Sequence, residues 1–368
     1  MRLLVAISHH GLGHLAQTAP VLDALHAAHP DIEFLVWSGV GSERLTERIH
    51  APFQHRFDPA DVGLVMHDAL RVDVAASREA YLEFHHDWAA RVAREAEWLR
   101  AQGCDAVLSD VACLPLAAAA HAGIPGFGLC SLNWVDIAHA YLAEQPGMAR
   151  VLEEMAAAYR SARAFLRVTP AMSMAWLENA EAVPPIAARG VDCGAALRAR
   201  LGMAPEERLL LIGFGGIAYR ATLPALPRVR WLVPDDWLGS RPLADHSTPG
   251  DLRTSRPDLV PFSDTGLAFL DLLASCDALV TKVGYGSFVE AAAAGKPVLY
   301  LVRPDWPESP VLTRWLMAHT PAAGIDEAAL FEPAVAACLT ALWAAQPMPR
   351  AAAAGAEHAA RRVLECLL

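Results

Sequence analysis

The chain has 368 residues and a formal net charge of −11 at neutral pH; 54% of its residues are hydrophobic and 19% charged. That composition describes a well-buried globular chain with room for two domains of ordinary size, and it excludes a disordered one. The acidic balance argues against a sequence-independent nucleic-acid binder, which needs a basic face.

The seven cysteines (Cys104, Cys113, Cys130, Cys193, Cys276, Cys338 and Cys366) are odd in number, scattered and without a CxxC pair. They sit mostly in apolar runs, the usage expected of reduced thiols in a cytoplasmic protein. Leu3–Ile7 is too short for the apolar core of a signal peptide, and no stretch reaches the roughly 20 apolar residues of a membrane-spanning helix. The expectation is a chain with no leader and no integral membrane segment. Nothing in the sequence sets an oligomeric state.

Arg2–Ser8 reads as a short apolar strand, His9–His14 as a glycine-bearing turn, and Gln17–Ala28 as a helix with apolar spacing at Ala19, Leu22 and Leu25. Asp31–Ser38 is the next strand, and two strands split by a helix imply a parallel βαβ unit. Ser42–His50 reads as a short helix, residues 53–72 as irregular, and Arg78–Gln102 as one long amphipathic helix. Strands at Asp105–Ser109, Pro125–Ser131 and Phe165–Val168 alternate with helices at Cys113–Ala122, Asn133–Leu142 and Met148–Ser161. Thr169–Gly190 carries Pro170, Pro184 and Pro185 without clear periodicity and reads as an interdomain connection.

A second half follows. A helix at Ala195–Leu201 precedes strands at Arg208–Phe214, Trp231–Pro234 and Leu259–Pro261. A helix at Gly266–Ser275, a strand at Ala278–Thr281 and a strand at Val298–Val302 come next. Residues 242–257 read as a polar surface loop, and Glu332–Ala344 and Ala351–Leu368 as helices. The expected domains are 1–188 and 189–350, with 351–368 as a C-terminal helix. Two doubly wound α/β halves would then face each other across a cleft, with ligands outside the carboxyl ends of the strands.

Four constellations carry chemistry. In Thr281–Pro297 an apolar strand runs through a glycine turn into an alanine-rich helix. That unit points backbone N–H groups and the positive end of a helix dipole at a phosphate. Gly284 and Gly286 would allow close backbone approach, Ser287 would cap the helix, and Glu290 lies one turn later on the same helix. An ordinary βα turn with a solvated lysine explains the same residues. In the His9–His14 turn, His14 is a candidate general base, held neutral by the helix N-terminus it would start. A helix-terminal histidine without chemistry is the alternative. No carboxylate or cysteine lies locally beside these histidines, which argues against a dedicated metal site. Asp110, after a strand and before a helix, fits either a partner that orients His14 or a plain N-cap.

The third constellation, Gly213–Gly216, is another close-approach turn. It is not GxGxxG and no acidic residue follows at the distance a dinucleotide site requires. In the fourth, Arg303–Glu308, the carboxylates of Asp305 and Glu308 are candidate acceptors for sugar hydroxyls. A charged surface loop is the alternative there.

The HGLGH pattern ending at His14, the SD pair at Asp110, and G-x-G-S-x-x-E-A-x-x-x-G-K-P from Gly284 together resemble the GT-B glycosyltransferase superfamily. The resemblance is closest to the glycosyltransferase-like N-terminal region of L-arabinokinases, and it spans nearly the whole chain in order. That region also has a tryptophan-containing segment like Ser131–Trp134 and an R-D-aromatic stretch like Arg303–Pro310. The chain has no segment resembling the sugar-kinase domain, so the resemblance does not imply kinase activity.

The resemblance implies two Rossmann-like domains of the GT-B fold, with the second binding the donor nucleotide. Gly284, Tyr285, Gly286 and Ser287 would cradle the diphosphate, and Glu290 would pair with the ribose hydroxyls. Lys282 would lie near the phosphates, as would Gly13, Gly215 and Gly216. Asp305 and Glu308 would hold donor-sugar hydroxyls, although they depart from the usual D-Q pair. His14 would be the base of an inverting transfer, with Asp110 as its partner, and the last helix would cross back to the first domain. No metal and no resident cofactor is implied; a nucleoside-diphosphate sugar, UDP-linked foremost, is the co-substrate. The acceptor would be a small molecule, lipid or glycan. A nucleotide-sugar hydrolase or epimerase would use the same donor residues, and a non-catalytic nucleotide-sugar-binding module is a third reading, which the presence of both His14 and Asp110 argues against.

Overall fold

The computed structural model describes residues 1–215, 223–237, 256–331 and 334–367. It divides into two compact units. Unit 1 comprises Met1–Ala187, Asp305–Val311 and Ala353–Leu368; unit 2 comprises Ala188–Pro304 and Leu312–Ala352. The segment with Asp305 and Glu308, placed with the second half from sequence, therefore clusters with the first.

Unit 1 holds β1 (Arg2–Ile7), α1 (Leu12–Ala28), β2 (Glu33–Ser38), α2 (Ser42–Thr46), β3 (Phe53–Phe57), α3 (Val74–Phe84), α4 (Trp88–Ala101) and β4 (Ala106–Asp110). It continues with α5 (Cys113–Ala122), β5 (Gly126–Cys130), α6 (Trp134–Leu142), α7 (Met148–Ser161), β6 (Ala164–Val168) and β7 (Ala180–Val183). Its sheet is parallel throughout, in the order β3-β2-β1-β4-β5-β6-β7. The central strands are nearly all apolar because helices cover both faces; in β1, Leu3 to Ile7 are fully buried.

After Ala187 the chain forms α8 (Gly194–Arg200), β8 (Arg208–Gly213), β9 (Val229–Val233), β10 (Leu259–Pro261), α9 (Phe262–Thr265), α10 (Phe269–Ser275) and β11 (Ala278–Lys282). Then come α11 (Tyr285–Ala294), β12 (Val298–Leu301), α12 (Ser309–His319), β13 (Ala322–Ile325), α13 (Ala334–Ala344) and α14 (Gly355–Leu364). The second sheet is also parallel, in the order β10-β9-β8-β11-β12-β13. In both sheets the order reverses direction beside the first strand, between β1 and β4 and between β8 and β11. Such a switch point is where ligands bind in open α/β sheets.

Several elements differ from their expected form. The single helix Arg78–Gln102 is two helices. Asp73 caps the first by accepting from the Ala76 N–H at 2.9 Å, which starts it earlier. Between them His85 is buried, bonded through Nδ1 to Glu154 at 2.7 Å and stacked on Trp88 at 4.4 Å. Helix α1 begins at Leu12 rather than Gln17, because Gly11 turns the chain with φ 89°. Gly13 and His14 thus lie in its first turn. The proline-rich connection contains β7, paired with β6.

Helix α14 buries Ala356, Ala359, Ala360 and Val363, the i, i+3, i+4, i+7 stripe of an amphipathic helix, and packs on α1. Arg362 grips Glu181 with two hydrogen bonds of 2.7 Å. The Gly355 N–H donates to the Pro185 carbonyl at 3.0 Å, and a Cβ on Gly355 would stand 2.1 Å from the Pro184 carbonyl oxygen. Among the described residues no helix is long and apolar enough to cross a membrane.

Candidate active site

The register pairs Ile7 at the end of β1 with Asp110 at the end of β4. Gly11 then folds the chain into α1, which returns His14 over that strand end. His14 is 5% exposed and Asp110 not at all. The His14 imidazole donates through Nδ1 to Asp110 Oδ1 at 2.8 Å, and the Thr18 hydroxyl, one turn further along the same helix face, donates to Oδ2 at 2.6 Å. Both carboxylate oxygens are thus engaged, and this tautomer leaves the Nε2 lone pair of His14 as an acceptor. The N-cap alternative for Asp110 gives way, since α5 is capped at Ala112 without a side-chain bond.

The electrostatics correct one expectation. A helix N-terminus disfavours imidazolium, and burial does so more strongly; yet the Asp110 carboxylate, with smaller help from Asp61 and Glu308, raises the His14 pKa above its ordinary value. A full charge at hydrogen-bond distance outweighs a partial dipole charge. Burial lifts the Asp110 carboxyl too, against the pull of His14 and Thr18. The two groups titrate as a pair.

The fold also brings a cysteine to a site that looked free of one locally. Cys130 Sγ, at the end of β5, lies 3.7 Å from His14 Nδ1, and His14, Asp110 and Cys130 offer metal-capable atoms within 4.8 Å of one another. Burial pushes the Cys130 thiol well above its usual range, which keeps it protonated.

A polar chain extends from the dyad. Gln17 Oε1 accepts from the Ser131 N–H at 3.0 Å, its Nε2 donates to Ser131 Oγ at 3.3 Å, and Ser131 Oγ donates to Glu308 Oε1 at 2.6 Å. Glu308 is only 3% exposed, so the surface-loop alternative fails for it. Asp305 accepts from the Tyr141 hydroxyl at its backbone oxygen, 2.8 Å away. On the other side the Trp134 indole donates to Asp61 Oδ2 at 2.7 Å, and Asp61 Oδ1 faces His9 Nδ1 at 3.5 Å. Burial would raise the Asp61 pKa, but His9, Ser8 and Trp134 hold it low. His10 stacks on Trp306 and meets Trp134 edge-on, and Trp134 lies 5.7 Å from the His14 ring.

Asp61, Gln17, Thr18 and Trp306 were not singled out from sequence. For Thr18 the one-turn spacing from His14 was a usable signal; Asp61 lies in the segment without periodicity and had none. Trp88 and His85 belong to the packing between α3 and α4 described above.

In unit 2, β11 pairs Thr281 with Gly213 of β8, and Thr281 donates its hydroxyl to the Gly213 carbonyl. Lys282 ends β11. Gly284 occupies the N-cap of α11 with φ −177°, and no side chain caps this helix, so Ser287 does not serve as its cap. The N–H groups of Tyr285, Gly286 and Ser287 have no acceptor within the helix. A Cβ at Gly284 would meet nothing closer than the Lys282 carbonyl oxygen at 4.0 Å, so open space lies beside the cap. Glu290 is 2% exposed and lines a cavity of about 80 Å³ with Arg189, Asp192 and Arg350. Gly215, in the turn two residues past the end of β8, needs its glycine for a φ of 76°. Gly216 lies outside the described residues.

No protein-family model matches the chain. Among curated proteins, L-arabinokinase of Arabidopsis thaliana is 27% identical over 316 residues, a match covering 84% of this chain and 29% of that protein. The chain therefore spans less than a third of the length of this relative. Among solved structures, a UDP-glucosyltransferase from Polygonum tinctorium capable of glucosylating indoxyl superposes with a TM-score of 0.57 at 14% identity, covering 100% of this chain and 98% of that one. The UDP-GlcNAc 2-epimerase of Methanocaldococcus jannaschii gives a TM-score of 0.57 at 10% identity, covering 99% and 100%. The fold is GT-B: two parallel, helix-covered sheets of Rossmann order.

Proposed function

We propose that this protein is a glycosyltransferase that moves a sugar, with inversion and without a metal, from a nucleoside-diphosphate sugar to a hydroxyl acceptor. The observation that carries this reading is the buried His14–Asp110 pair at 2.8 Å on the switch point of unit 1. His14 Nε2 takes the proton of the acceptor hydroxyl as its oxygen attacks the anomeric carbon. The bond from that carbon to the phosphate oxygen breaks, and the nucleoside diphosphate leaves with the bonding pair. Asp110 stabilises the imidazolium that forms.

Unit 2 supplies the donor side. The N-terminus of α11 at Gly284–Ser287, with Lys282, takes up the charge developing on the leaving diphosphate. Glu290 accepts from the ribose, and Gly215 allows approach of the phosphates. Asp305 and Glu308 for the donor sugar, and Gly13 for the phosphates, belong to unit 1 and are carried by the resemblance to GT-B enzymes. UDP stands first among donors because both similar structures named above act on UDP-linked sugars. The acceptor is a small molecule, lipid or glycan, and the seven free cysteines support a cytoplasmic setting.

The fold likeness to an epimerase favours one second reading, in which the same donor residues serve epimerisation or hydrolysis. A thermal-shift panel of nucleoside diphosphates and nucleotide sugars tests the donor half. A ligand that binds only the folded state at a hundred times its Kd stabilises by about 2.7 kcal/mol. A flat response across the panel would sink both readings. Product analysis with the best donor, with and without cell extract as acceptor, separates transfer from hydrolysis and epimerisation. Binding without turnover would leave a nucleotide-sugar-binding module.

A further inference from the structure

The strand that delivers Asp110 ends in a kink. Val111, the next residue, has φ 63° and is fully buried. The left-handed region is unfavourable for any L-residue and most of all for a β-branched one. Such backbone persists only where its surroundings hold it, and it clusters at functional sites. Only two other non-glycine residues with positive φ occur among the described residues, Met174 and Arg228, and neither is at the dyad.

Two bonds bracket the position. On the near side, the Asp110 carbonyl accepts from the Ser8 N–H at 3.2 Å. On the far side, the Tyr159 hydroxyl donates to the Val111 carbonyl at 2.6 Å. Tyr159 lies on α7, fully buried, with its ring edge-on to Phe165 at 5.5 Å, so its hydroxyl has a fixed origin. The same oxygen accepts from the Trp134 N–H at 3.2 Å, at the start of the helix whose first indole packs 5.7 Å from the His14 ring. One hydroxyl therefore ties the strand end carrying the carboxylate to the aromatic wall beside the imidazole.

We infer that Tyr159 is a positioning residue of the dyad: its hydroxyl pins the Val111 carbonyl, holds the left-handed kink, and so aims Asp110 at His14. The bearing of this on turnover rests on His14 being the base; the bearing on the His14–Asp110 pair does not.

The test is Tyr159→Phe, which keeps the ring and removes the donor. It is read by NMR titration of the His14 imidazole and by steady-state kinetics. The groups facing His14, namely Asp110, Asp61, Glu308, Cys130 and Thr18, are all retained. The expected result is a His14 midpoint lower than in the parent and turnover reduced about tenfold or more, as for a misplaced catalytic group, with donor-nucleotide affinity unchanged. A lowered melting temperature with an unmoved His14 midpoint would show a purely structural bond and overturn the inference. Val111→Gly supplies the second arm, since glycine adopts this φ freely. In that background Tyr159→Phe should shift the midpoint less, and an equal shift overturns the inference. If Tyr159→Phe alone does not fold, the double variant is read directly. A double variant that also fails to fold assigns the hydroxyl to the core and overturns the inference. A moved midpoint with unchanged turnover upholds the positioning role and refutes His14 as the base.

Discussion

The switch point of unit 1 and that of unit 2 occupy the same place in the same strand order and carry opposite kinds of chemistry. In unit 1 the fourth strand ends in a fully buried carboxylate, and the first helix returns an imidazole to it at 2.8 Å. In unit 2 the corresponding strand ends in Lys282 and the next helix starts on an uncapped glycine. The first strand end presents two hydrogen-bonded side chains, His14 and Asp110. The second presents a helix start with no side-chain cap. The topology brings strand ends together; the residues at those ends set the chemistry each can offer, a proton acceptor in one and an anion cradle in the other under the proposed function. Side-chain chemistry should be sensitive to isosteric changes of charge, and backbone chemistry to added volume.

The largest expected break is His14→Ala. Loss of a positioned base lowers turnover by about 10² to 10⁴, while equilibrium binding of the donor nucleotide stays at the parental affinity. Parental turnover in this variant would refute the assignment of unit 1.

Asp110→Asn comes next, with the sign fixed by the electrostatics. The carboxylate raises the His14 pKa, so the acid limb of kcat/KM against pH lies above the ordinary histidine value of about 6.5. Activity falls as pH drops through that limb, because the imidazole protonates and ceases to be a base. Removing the charge leaves burial dominant, so the limb moves to lower pH even as the plateau rate falls by about 10² to 10⁴. A limb that stays put or climbs in Asp110→Asn contradicts the pairing.

Gly284→Ala sharpens the other half. At φ −177° alanine fits without strain, and its Cβ meets nothing within the protein closer than 4.0 Å. Stability should fall by no more than about 1 kcal/mol, the difference between glycine and alanine at an N-cap. The methyl stands where a phosphate would approach, so nucleoside-diphosphate affinity should weaken about tenfold, or about 1.4 kcal/mol. Calorimetry showing equal affinity would remove the cradle from this glycine. The smallest effect is an expected absence: affinity of the parent for an intact nucleotide sugar, whose diphosphate is esterified at both ends, should be flat across the pH range in which turnover falls, because the proposed cradle holds no histidine. A shared midpoint would tie nucleotide binding to the dyad.

Legibility followed position in the sheets. Buried central strands such as β1, β4, β8 and β11 are continuous apolar runs and were read close to their observed bounds. The strands that escaped, β3, β7 and β13, are all sheet edges. Edge strands are short and half exposed, so they tolerate residues like those of FQHRF in β3 and lose the apolar run that marks a strand. The break between α3 and α4 escaped for another reason: Trp88 stacking on a buried His85 is a contact no periodicity records.

By itself the sequence determined the parallel α/β class, two successive halves, the glycine turns at strand ends, and His14 and Asp110 as paired candidates. Runs of apolar residues and glycine placement are local properties, so they can be read locally. Tertiary structure alone decided that Asp110 binds His14 and Thr18 rather than capping a helix, and that Cys130 and Glu308 join the same network. It alone set Val111 in a left-handed kink under the Tyr159 hydroxyl. Each of these joins residues from separate strands and helices, and the direction of the His14 pKa follows from the distance between two such groups.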